Sequence, residues 1–153
     1  MALNTLHINS VAGQNDVIKR FFIGTFPSCL VKYPPQRKIY SFVTNTGICS
    51  SSGYHWNGWF VKNDTVIFFD SFGRSPMDQS LPHQYRDIIS RFKRFRYFKH
   101  AIQPIESFTC GYYTIHFLYV MSFGLDFSSL FQDYSYSKHE NDKIVINIIE
   151  SII

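Results

Sequence analysis

The chain has 153 residues, a formal net charge of +4, 45% hydrophobic and 17% charged residues, the composition of one globular domain (1–153) with no room for an autonomous second one. No apolar run reaches the ~18 residues of a membrane helix, and the polar start MALNTLHINS lacks the layout of a secretory leader, so neither membrane association nor secretion is expected. Three cysteines without CxxC or Cys/His metal spacing argue against a disulfide framework and a structural zinc, and the 18% aromatic content, with 16 Phe and 10 Tyr, predicts a dense aromatic core.

In chain order, Asn15-Asp16 caps a short helix expected over 17–22, and Pro27, Pro34 and Pro35 keep the following segment out of regular helix, wrapped around the core. Segments 38–44, 59–61 and 65–69 alternate apolar and polar side chains of aromatic and β-branched type, which predicts strands. The last two flank the turn formers Asn63-Asp64 and make a hairpin. A two-residue loop there sets Asn57 opposite Asp70 and makes His55 the diagonal, same-face neighbour of Asp70, roughly 7 Å away at the backbone and within side-chain reach. A register shifted by one residue would separate them to opposite faces.

Helical spacing of Tyr85, Ile88, Ile89 and Phe92 predicts an amphipathic helix over 83–95, followed by a strand over 96–102 that Gln103-Pro104 ends. From Gly111 to Phe123 the chain is apolar nearly all round, as for a helix buried at the centre of a domain, with Gly124 as its terminator. Residues 143–153 predict a last helix. The fold class is α+β, a central antiparallel-rich mixed sheet packed on a buried helix.

Cys110 stands at the start of that buried helix, where unpaired amides and the helix dipole favour a thiolate. Taken alone it is an ordinary buried cysteine. With His55 as base, Asp70 as the group that orients it, and Gln103 seven residues before the cysteine as an amide donor to an oxyanion, it completes the set a cysteine hydrolase needs. The cysteine comes last, which excludes the papain order. His83, His100, His116 and His139 are too scattered for a metal site, and Cys29 and Cys49 are expected to be plain thiols.

The words FFIGTFPSCL (21–30), FVTNTG (42–47), GYHW (53–56), FFDSFGR (68–74) and Q-x6-C-G (103–111) occur in the order of the adenovirus maturation protease (adenain) family, and the chain resembles that family over residues 21 to about 124. It is more distantly similar to the SUMO proteases, and its short form suits members from Maverick or Polinton elements and related viruses. The resemblance implies His55 as general base, Asp70 as its orienting acid, Gln103 in the oxyanion hole and Cys110 as nucleophile. It also implies that Trp56 packs on the imidazole and supports the oxyanion hole together with Gly111, and that Asn45 and Gly47 border a substrate groove. Adenain usually has glutamate where this chain has Asp70.

The expected function is therefore a viral or virus-like cysteine endopeptidase that cleaves capsid precursor proteins during particle maturation, in the virion and in the host nucleus or assembly site. The substrate would carry small residues around the scissile bond. No metal or organic cofactor is expected, and the protein is expected to be a monomer. Resemblance further implies DNA and a viral peptide as activators, the peptide held noncovalently because residues 74–109 contain no cysteine. Arg91, Lys93, Arg94 and Arg96, with Arg86 and Lys99, are the candidate DNA contacts, their interleaved Phe92, Phe95, Tyr97 and Phe98 facing the core. Two other readings compete: a deubiquitinase or SUMO-type isopeptidase, and an inactive DNA- or capsid-binding protein on the same fold.

Overall fold

The computed structural model describes residues 2–47 and 55–153. Cys49 and the Gly53-Tyr54 half of GYHW lie outside them. The sheet runs β1 (Phe22–Pro27), β2 (Ile39–Asn45), β3 (Trp56–Lys62), β4 (Thr65–Phe69) and β5 (Arg94–Tyr97), in spatial order β1-β2-β3-β4-β5. The two central ladders, β2·β3 and β3·β4, are antiparallel, and both edge pairs are parallel. Around it stand α1 (Thr5–Gln14), α2 (Gln84–Ile89), α3 (Cys110–Ser122), α4 (Ser129–Gln132) and α5 (Lys138–Ile152). The α+β architecture is that of the expectation.

Both faces of the sheet are covered. Trp56, Phe60, Ile67 and Phe69 join α3, α1 and α5 in one cluster, while Trp59, Val61, Val66 and Phe68 join Tyr85, Ile88 and Ile89 of α2 in another. Successive side chains of β3 are buried on opposite faces, from Trp56 to Val61, with Asn57 the buried polar member. The helix that begins at Cys110 crosses β3 so closely that a Cβ on Gly58 would come within 2.6 Å of Phe117 Cδ1. Glycine there is a packing requirement.

The hairpin has the expected register. Lys62 pairs with Thr65 and Gly58 with Phe69 around the Asn63-Asp64 loop, with Asn63 at φ 56, so the next step of the ladder sets Asn57 against Asp70. Helix α3 ends as expected at Gly124, whose φ is 88 and whose N–H bonds Met121 O.

Other expectations are corrected. The helix predicted over 83–95 stops at Ile89, and the strand predicted over 96–102 begins earlier, at Arg94. Ile88 and Ile89 bury the short helix, after which Asp64 O accepts from Lys93 and Arg94 N–H and draws the chain onto β4 as an edge strand. The helix expected over 17–22 is a single 3₁₀ turn, Ile18–Arg20, because Phe22 is taken up by β1, a strand the prolines had hidden. Helix α5 starts at Lys138 rather than 143, capped by Ser137. Helix α1 was not anticipated; Asn4 and His7 close a capping box on its first turn. Cys29, expected as a thiol, is disulfide-bonded.

Candidate active site

The end of β4, the start of β3 and the first turn of α3 converge on one groove of about 890 Å³. His55 immediately precedes β3, Asp70 follows β4, and Cys110 opens α3. His55 Nε2 lies 2.5 Å from Asp70 Oδ1, and Cys110 lies near enough to the imidazole to influence its charge state. Asp70 is fully buried, His55 is 8% and Cys110 7% exposed, so the three groups interact largely out of water.

Burial disfavours the imidazolium, but the hydrogen bond it gives to Asp70, the charge of that carboxylate and the influence of the neighbouring Cys110 outweigh it and raise the His55 pKa from 6.5 to about 9. Burial likewise pushes the Asp70 carboxyl upward, and here the hydrogen bonds and positive charges of His55 and Arg74 prevail, holding it below its ordinary value. The arrangement is an ion-paired base at neutral pH.

Gln103 is 1% exposed and faces the same groove. Its Oε1 accepts from Ser71 Oγ at 2.5 Å, and its Nε2 donates to Ser107 O and Oγ at 3.0 and 3.1 Å. The amide nitrogen is thereby turned toward the α3 side of the groove. Beside it α3 begins at Cys110, and the N–H groups of Cys110 and Gly111 stand at helix positions that have no acceptor within the helix. The structure thus brings His55, Asp70, Gln103 and Cys110 together, with Asn45 and Gly47 on the groove wall as expected.

Trp56 lines the groove but is not the ring stacked on the imidazole. The ring that stacks on the imidazole is Phe72, at 4.9 Å between centroids and 18° between planes. Trp56 instead donates its indole N–H to Leu3 O at 2.9 Å, and Leu3 also packs on Gly111, where an added Cβ would lie 2.9 Å from Leu3 Cβ. Both residues anchor the N-terminal wall of the groove.

The word FFDSFGR places more than one side chain at the site. Besides Asp70, Ser71 holds the Gln103 carbonyl, Phe72 covers the His55 imidazole, and Arg74 places Nε 2.5 Å from Asp70 Oδ2. The turn that allows this is closed by Gly73 N–H to Asp70 O at 2.8 Å, with Gly73 at φ 74. The four residues were adjacent in the sequence, but only their folded contacts reveal their separate partners.

The basic cluster is not one face. Arg91 lies 4.3 Å over the Tyr33 ring and Arg96 4.5 Å over Phe127, and these two rings pack against opposite clusters of the sheet. Lys93 pairs with Asp64 at 3.7 Å, and Arg94 Nε reaches Thr65 Oγ1 at 3.5 Å. Phe95, expected to face the core, is 39% exposed, because β5 is an edge strand with little packed outside it.

No protein-family profile and no curated protein matches the chain. Solved structures do. The ASFV pS273R protease superposes with a TM-score of 0.62 at 13% identity, covering 94% of this chain and 66% of that one. A second, selenomethionine structure of the same protease gives 0.51 at 18% identity, over 71% of this chain and 43% of that one. The chain therefore spans just under two thirds of the protease it matches, and at these identities the likeness establishes a shared fold: a mixed five-stranded sheet with helices, as in a viral cysteine protease.

Proposed function

We propose that this chain is a viral or virus-like cysteine endopeptidase that cleaves structural precursor proteins, with Cys110 as nucleophile, His55 as acid-base, Asp70 as its orienting partner and Gln103 in the oxyanion hole. The observation that supports it most is that Cys110, Gln103 and His55 line one open groove, with His55 Nε2 bonded to the buried Asp70 behind it. The fold shared with a viral protease supports proteolysis as the reaction class.

In this reading His55 keeps its proton to about pH 9 and faces Cys110 as an imidazolium at neutral pH, and the thiolate form of Cys110 is the attacking species. The Cys110 sulfur attacks the scissile carbonyl carbon, and the oxygen that takes up the electron pair is met by the Cys110 backbone N–H and by the Gln103 Nε2 N–H that exchanges Ser107 O for it, while the other stays on Ser107 Oγ. Collapse of the tetrahedral species breaks the C–N bond while His55 gives its proton to the leaving amine. Neutral His55 then removes a proton from water, which attacks the thioester and releases Cys110. Asp70 holds the ring in register throughout.

Incubating the protein with capsid proteins of its own genome and sequencing the new termini tests this reading. Discrete cleavage by the wild type, absent with a folded Cys110→Ala variant, is the expected result; identical products from both would refute it.

A further inference from the structure

Thr109 occupies the N-cap position of α3, yet its hydroxyl does not cap its own helix. It donates instead to Asp142 Oδ1 on α5 at 2.7 Å, and Tyr113 OH donates to the same oxygen at 2.7 Å. Burial, and then the hydrogen bond to this carboxylate, raise the Tyr113 hydroxyl far above the ordinary tyrosine range, so it remains a donor. A carboxylate only accepts, which fixes the direction of every bond upstream. Thr109 has spent its proton on Asp142, so in the 2.9 Å contact between Ser107 Oγ and Thr109 Oγ1 it is Ser107 that donates. Ser107 Oγ then meets Gln103 with lone pairs alone, and Nε2 donates to it at 3.1 Å.

Besides the Gln103 Nε2 bond to Ser107 O and an exposed Glu106–His139 contact at 3.4 Å, the loop that carries Ser107 has few ties. Ile105 is 84% and Phe108 76% exposed, so burial does not fix this segment, and its internal turn is one bond from Ser107 N–H to Pro104 O at 3.2 Å. We propose that Asp142, outside the groove and on a different helix, is a positioning residue for Gln103: through Thr109 and Ser107 it holds the amide nitrogen toward the oxyanion site. Ser71 holds the opposite end of the same amide. This rests on the reading of Gln103 as an oxyanion donor.

The test separates oxyanion chemistry from thiol reactivity. Alkylation of Cys110 by iodoacetamide displaces iodide from a saturated carbon and creates no oxyanion, so it reports the Cys110–His55 pair and the fold around it. Gln103→Ala should lower kcat for peptide cleavage by about 100-fold with KM little changed. Asp142→Ala should lower kcat by about 10-fold, leave KM and the alkylation rate near wild type, and add no further loss in the Gln103→Ala background. Thr109→Val, which cuts the same chain without removing a charge, should match Asp142→Ala and serves where that variant does not fold. If Gln103→Ala lowers kcat while Asp142→Ala and Thr109→Val do not, or if the double variant loses both factors in full, the positioning role is overturned and the oxyanion reading stands. If Gln103→Ala itself leaves kcat unchanged, the underlying reading fails.

Discussion

Arg74 closes on Asp70 from one turn downstream, its Nε 2.5 Å from Oδ2, while the other carboxylate oxygen is taken by His55. A fully buried carboxylate shared between an imidazole and a guanidinium is costly to leave half-paired. Arg74→Ala should therefore reduce stability by about 1–3 kcal/mol and lower kcat, because the acid that orients His55 becomes free to move. Urea unfolding and steady-state kinetics on the same preparation check both halves.

Asp70→Asn should cost less activity than His55→Ala. The asparagine can still contact the ring, so the base persists while its orientation and charge support are lost. The expected ranking in kcat/KM is wild type, Asp70→Asn, His55→Ala, and the reverse order of the two variants would mean that the roles of the residues are exchanged.

The paired groups also set a pH window. His55 has its pKa raised from 6.5 to about 9, so the stabilisation from its pairing is complete below 6.5 and is lost as pH rises through about 9. Asp70 is shifted the other way, so its contribution is present above 3.8 and is lost as pH falls through its lower folded value. An NMR titration of the His55 ring should show a midpoint near 9, falling in Asp70→Asn, and the cleavage rate should decline on the alkaline side with the same midpoint as the imidazolium disappears. A His55 midpoint near 6.5 would contradict the ion-paired site.

Gly73→Ala should damage the site from outside it. The residue sits at φ 74, and a Cβ would stand 2.7 Å from the His100 carbonyl carbon and 2.8 Å from Ala101 N, backbone atoms that cannot swing away. A loss of about 2 kcal/mol or more is expected from the strained conformation and the clash together, visible as a lower melting temperature with reduced activity in the fraction that stays folded.

Much of this was legible before folding, for reasons that differ by element. The Asn63-Asp64 turn fixed the register of β3 and β4, and with it the meeting of His55 and Asp70, because a two-residue loop leaves one pairing that keeps both faces buried. The uniformly apolar run after Cys110 marked α3 in the same direct way. What stayed hidden depended on distant partners: β5 takes its form from Asp64 and β4, not from the helical spacing of its own neighbours. Phe72 and Ser71 lay inside a recognised word, but nothing local told that one would cover His55 and the other would hold Gln103. Helix α1 did carry a local signal, the Asn4 and His7 cap, in a stretch too polar to suggest a helix by periodicity.

The central claim is that Cys110 is a nucleophile activated by His55, and a peptide aldehyde or vinyl sulfone that mimics an acyl substrate tests it most directly. Intact-mass and peptide-mapping spectrometry of the folded protein should find one adduct, on Cys110, formed at least about 100-fold more slowly in His55→Ala, as expected when a positioned base is removed. Labelling of Cys110 at an equal rate in His55→Ala, or an adduct on another residue in place of Cys110, would contradict the account.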